Sequence, residues 1–138
     1  MVINANPYQQ YQQNAVNSAG KGDLTLMLYN GAVKFIKQGI QLAGENNVQG
    51  VHNALTRAQE IIAYLNQTLD RNYELSAGLA SLYEYINRRL MEGNIKKDPD
   101  IMAETLELVE DLRDTWSEAL KLSRTSAAGG SNHAAASY

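Results

Sequence analysis

From Leu24 to about Ala43 the apolar positions Leu24, Met27, Leu28, Ala32, Phe35, Ile36 and Ile40 recur at intervals of three and four. That spacing places them on one face of a helix. Asp23 favours the helix start electrostatically, because the first turn exposes unpaired amide hydrogens. Gly31 and Gly39 each lower helix propensity by about 1 kcal/mol relative to alanine. At Gly31 the close approach of a neighbouring helix is the expected compensation. GENNVQG then breaks the pattern.

A second stripe runs from about Val48 to Leu69 through Val51, Ala54, Leu55, Ala58, Ile61, Ile62, Leu65 and Leu69, and DRNY follows as a turn. The third runs from Glu74 to about Lys97, with Leu75, Leu79, Leu82, Ile86 and Leu90 as its apolar side. Pro99 suits the first turn of a fourth helix, where its missing donor costs nothing, and Asp98 before it can cap. That helix carries Ile101, Met102, Thr105, Leu106, Val109, Leu112, Trp116, Ala119 and Leu120 and is expected to end near Ser123. Strict period-two alternation and recurring repeat motifs are both absent from the sequence.

Four helices of about 20 residues joined by short links predict an all-α fold, an antiparallel four-helix bundle with every stripe turned to one core. The expected organisation is a tyrosine-containing tail over 1–20, the bundle over 21–122 and a flexible tail over 123–138. The first tail includes NPYQQYQQNAVNSAG, uncharged from Asn6 to Gly20 but bearing Tyr8 and Tyr11. Aromatic rings of that kind favour at least partial burial. With no long stripe of its own, the tail is expected to be held by a surface made elsewhere in the chain.

A chain of 138 residues is long enough for one domain with a real core. Its 44% hydrophobic and 20% charged content describe a globular chain. A formal charge of -3 argues against a dedicated nucleic-acid binder, which needs a basic face for phosphates. There is no cysteine, hence no disulfide scaffold or thiol nucleophile. The opening MVINANPYQQ has neither the basic region nor the apolar run of a signal peptide. No apolar stretch approaches the roughly 20 residues that span a bilayer. The expectation is a cytoplasmic protein without stable membrane insertion.

Charge is uneven. Between Asp98 and Glu118 stand eight acids and one base, Arg113. This strip reads either as a solvated helix face or as a surface that steers a basic partner. A di-iron site would need Glu-x-x-His pairs facing inward, whereas Gln49 stands at the required offset before His52 and His133 lies in the tail. GKG in NSAGKGDLT lacks a full phosphate-loop motif and follows no strand. No serine can be placed beside a histidine base. These absences point to no catalytic residues, no cofactor and no metal.

Lys96 and Lys97 suit a helix carboxyl end. Arg88 and Arg89 come too early for that, leaving them to pair with acids or to offer donors to a partner. Tyr83 and Tyr85 project about 200° apart on a helix, so one closes the bundle and the other sits at its boundary. Tyrosine and arginine together also suit a recognition surface.

The strings NPYQQYQQNAV, LTLMLYNGAVKFI, RAQEIIAYLNQTLD, LYEYINRRLMEGNIKKD and LVEDLRDTWSEAL, in this order and spacing, resemble the FliS family of flagellin-export chaperones from Asn6 to about Lys121. The resemblance implies a small cytoplasmic four-helix protein that binds the carboxy-terminal segment of flagellin. It also implies prevention of premature filament assembly and help in delivery to the flagellar type III export gate. An export-gate protein and another assembly factor are further partners it allows. The implied partner-binding residues are Tyr8, Tyr11, Asn14 and Val16 in the tail, Leu24 and Leu28 in the first helix, and Asn66 and Leu69 at the end of the second. Tyr83, Tyr85, Asn87 and Arg88 complete the set. SAGKGDL and Asn30 depart from the family pattern, which has a proline-containing start and an aspartate at these places. The competing expectation is a helical interaction module that self-associates and is not a chaperone.

Overall fold

The computed structural model describes residues 20–126, so the tail residues Tyr8, Tyr11, Asn14 and Val16 and the segment 127–138 lie outside the described residues. Four helices follow in order: α1 Lys21–Gly44, α2 Val48–Gln67, α3 Ser76–Lys96 and α4 Pro99–Ser126. By its packing the chain falls into two compact units. One is Leu28–Leu112; the other is Met1–Met27 with Arg113–Tyr138, of which 20–27 and 113–126 are described.

Within Leu28–Leu112 neighbouring helices run antiparallel. Gly31 and Gly39 of α1 face Ile61 and Leu55 of α2 respectively. Asn87 and Asn94 of α3 bond to Gln59 and His52 of α2. Gly93 lies against Ile101 at the start of α4, while Tyr85 reaches Glu104 further along it. The core between them is apolar and sealed: Ile36, Leu55, Ile62, Ile86, Leu90 and Met102 are the largest of its fully buried side chains. Burial of each such side chain contributes about 1.5–3 kcal/mol. Thr105, also fully buried, donates its hydroxyl to Met102 O at 2.7 Å, which satisfies its polar group inside the apolar core.

The links follow from local chemistry. In GENNVQG, Asn46 takes the left-handed conformation at φ 58° and Asn47 caps α2 by accepting from Gly50 N at 2.9 Å. Asparagine is one of the few residues that tolerates the first role and suits the second. After α2, Arg71 donates to Asn66 O at 3.0 Å and to its Oδ1 at 3.2 Å, and Asp70 Oδ1 accepts from Asn72 N at 3.0 Å. Asp98 Oδ1 accepts from Asp100 N at 2.9 Å, so the expected cap ahead of Pro99 is in place.

In the second unit, Trp116 Nε1 donates to Gly22 O at 2.9 Å and Arg124 pairs with Asp23. A Cβ at Gly22 would collide with Leu120, so glycine there allows the close approach of α1 and α4. The Arg124–Asp23 pair and Thr125, whose hydroxyl bonds to Lys121 O at 2.9 Å, belong to a last turn that carries α4 past Ser123 to Ser126.

The apolar face of α3 differs from the expected stripe. Leu75 stands before the helix and is 83% exposed, and Leu79 and Leu82 are only half-buried. Ile86 and Leu90 are buried as expected, and Ser76, Ala80, Tyr83 and Gly93 complete the buried face in place of the other leucines. Its upper half is rotated from the leucine line because Tyr83, tied to Tyr29 of α1, is the large residue turned inward. Met27, expected in the α1 stripe, is likewise 43% exposed.

Candidate partner-binding groove

The end of α2 and the middle of α3 leave an open trough of about 470 Å³ within Leu28–Leu112. Ala63, Asn66, Gln67 and then Arg71 form one wall, and Tyr83, Glu84, Asn87, Arg88 and Met91 form the other. The spacing 84, 87, 88, 91 keeps the second wall on one side of its helix. Four of the residues implied by the family resemblance, Asn66, Tyr83, Asn87 and Arg88, are brought together here.

The remaining described residues of that set fall elsewhere. Leu24 and Leu28 are buried, at 8% and 4% exposure. Leu69 is half-buried in the link after α2. Tyr85 belongs to the α3–α4 side, where its hydroxyl donates to Glu104 Oε2 at 2.6 Å. Ala63, Gln67, Arg71, Glu84 and Met91 line the trough without having been singled out from the sequence. For Ala63, Glu84 and Met91 the signal was available in the helical offsets of three and four from Asn66 and Asn87, but choosing a face required knowing which side the core takes, and Arg71 lies in the link after α2 where no helical offset applies.

The basic pair divides its roles. Arg89 bonds to Glu92 Oε1 at 2.5 Å and to Glu104 Oε1 at 3.0 Å, so it pairs with acids as one expectation held. Arg88 is exposed on the trough wall, its guanidinium carbon 5.8 Å from the centre of the Tyr85 ring. The Tyr85 hydrogen bond, followed by that of Arg89, holds the Glu104 carboxyl below its ordinary range. Glu104 is therefore engaged in a clasp between α3 and α4, and Glu110 pairs with Lys37 at 3.6 Å. Much of the acidic strip remains solvated, with Glu107, Asp111, Asp114 and Glu118 exposed.

Hydrogen bonds fix the polar residues of both walls. Arg71 is bound to Asn66 by two hydrogen bonds from one nitrogen. Asn87 donates from Nδ2 to Gln59 O at 3.2 Å, and its Oδ1 is buried with no hydrogen-bond partner among the described residues. Tyr83 shares a hydrogen bond with Tyr29 below. Met91 in the trough lining is 52% exposed, and Ile95, one turn further along α3 and outside that lining, is 75% exposed. Among the described residues no group of three or more His, Cys, Asp or Glu converges to hold a metal ion. Among them, too, no helix is long and apolar enough to cross a membrane.

A flagellar secretion chaperone FliS of Bacillus subtilis is 47% identical over 119 residues, covering 86% of this chain and 90% of the relative. Another, of Escherichia coli, is 32% identical over 111 residues, covering 78% and 82%. A flagellar secretion chaperone FliSB of Pseudomonas aeruginosa is 28% identical over 114 residues, covering 78% and 90%. The sequence matches the family described as flagellar protein FliS over residues 4–123, and the chain belongs to that family of flagellar chaperones.

Proposed function

We propose that this protein is a cytoplasmic export chaperone that binds the disordered carboxy-terminal segment of flagellin, keeps it from polymerising prematurely and assists its delivery to the flagellar type III export gate. The observation that carries this reading is the α2–α3 trough, where the half-exposed Met91 shares the lining with Asn66, Asn87 and Arg88. An amphipathic helix laid in such a groove buries its apolar face while the groove's polar groups fix its register. A disordered client gives up about 2–5 kcal/mol or more in becoming ordered, which keeps the complex reversible and suits handover to an export gate.

Tyr8 and Tyr11 belong to the same reading: the uncharged tail folds back on apolar surface in the empty chaperone and moves when the client arrives. Calorimetric titration with a peptide of flagellin's carboxy-terminal segment tests the proposal. Saturable heat at one peptide per chaperone is expected. A flat titration, with heat only from dilution of the chaperone itself, would replace the reading with self-association.

A further inference from the structure

We infer that Asn87 is a specificity-determining residue of the α2–α3 trough, and that its buried Oδ1 accepts a hydrogen bond from an uncharged donor on the bound client. The inference rests on the proposed function and deepens it.

The amide's orientation is fixed by chemistry. Its nitrogen faces Gln59 O at 3.2 Å, and a carbonyl can only accept, so turning the amide over would set two oxygens against each other. Oδ1 is thereby left sealed from solvent with no partner among the described residues. A buried acceptor without a donor is costly, and native folds rarely retain one without a use for it. A carboxamide also has a ready replacement in leucine, of similar shape and free of this cost. The amide is retained where it lines the trough.

The same wall carries a soft residue. Met91, one turn further along α3, lies on the same wall and is half exposed. Its unbranched thioether changes rotamer easily, so this wall can yield to a docking client. The class of donor follows from the surrounding charges. Arg71 and Arg88 line the trough against a single carboxylate, Glu84, so its ionised groups sum to a positive charge that disfavours a lysine or arginine donor. A carboxylate has no proton to give. An uncharged N–H or O–H remains, from a carboxamide, a hydroxyl or an unwound turn of the client's backbone.

The test uses the full chain, the flagellin carboxy-terminal peptide, and the variants Asn87→Leu and Asn87→Ala. Gln59 O sits inside α2 and keeps its helical hydrogen bond in either variant. Asn87→Leu is expected to melt no lower than the parent and to bind the peptide about tenfold more weakly, the equivalent of one hydrogen bond. Asn87→Ala is expected to lose the same affinity although its smaller side chain leaves a gap. Affinity within twofold of the parent for either variant would overturn the inference while leaving the chaperone reading intact. Parallel losses of melting temperature and affinity in both variants would mark Asn87 as a structural prop, overturning it too. A parent chain that fails to bind the peptide removes the proposed function and this inference together.

Discussion

The hydroxyls of Tyr29 on α1 and Tyr83 on α3 hydrogen-bond to each other at 2.5 Å, with both rings buried. Each phenol is the other's means of entering the core without an unsatisfied polar group. Tyr29→Phe strands the Tyr83 hydroxyl and is expected to cost about 1–3 kcal/mol in chemical denaturation. Removing both hydroxyls together should cost less than the sum of the two single changes, because neither is then stranded.

Burial pushes both phenols above their ordinary value, and for Tyr83 the nearby Tyr29 adds to the rise. Below about pH 10 an unfolded tyrosine is neutral as well, so the pair's contribution is complete there. Above that pH the unfolded chain releases protons that the folded chain retains, and stability falls as pH rises. Stability measured between pH 8 and 11 should show this alkaline loss, and the double phenylalanine variant should show a shallower one. Equal slopes would contradict it.

The two glycines of α1 are expected to respond differently to alanine. A Cβ at Gly39 would lie 2.8 Å from Leu55 Cδ2 and 3.3 Å from its Cγ, against a side chain that is fully buried. Overpacking of this kind costs about 1–3 kcal/mol and outweighs or cancels the gain of about 1 kcal/mol in helix propensity. At Gly31 the sole nearby atom is Ile61 Cδ1 at 3.2 Å, the end of a flexible side chain. Thermal melts should therefore place Gly31→Ala at or above the parent and Gly39→Ala below Gly31→Ala. The reverse order would refute the assignment of the tighter approach to Gly39.

Glu104 joins α3 to α4 through Tyr85 and Arg89. Its lowered protonation point means that the clasp contributes fully above the ordinary carboxylate range, near pH 4.5, and is lost as pH falls through the lower, folded value. Glu104→Gln should flatten the acid side of the stability curve between pH 3 and 5 and weaken the response to salt. An unchanged acid limb would show that the clasp contributes nothing measurable.

Removing residues 1–16 tests the proposed part of Tyr8 and Tyr11. The four described helices are kept whole in this variant, and the circular dichroism they contribute should be unchanged. Binding of a dye specific for exposed apolar surface should rise. If dye binding and peptide affinity both match those of the full chain, the tail has no role at the groove.

Most of the helices were legible because their signals are local. Asn47 and Asp98 cap α2 and α4 with side chains that bond within three residues of their own position, and Pro99 opens α4. The approach of a neighbour to Gly31 was also readable, although Gly39 has the tighter one. On α3 the leucines suggested one line and the structure buried another, because periodicity reports a helix but leaves open which of two adjacent apolar lines faces inward. Leu75 and Leu79 gave way to Ala80 and Tyr83 once Tyr29 stood opposite.

By itself, the sequence determined four amphipathic helices, their order and the family to which they belong, since hydrophobic spacing, caps and motif strings are all written along the chain. Tertiary structure alone decided that Arg89 is engaged while Arg88 is exposed on the groove wall, that Tyr85 turns to Glu104, and that Asn87 keeps a buried acceptor beside Met91. Those outcomes depend on which groups from distant segments meet within about 3 Å, the range over which a hydrogen bond forms. No local pattern encodes that distance.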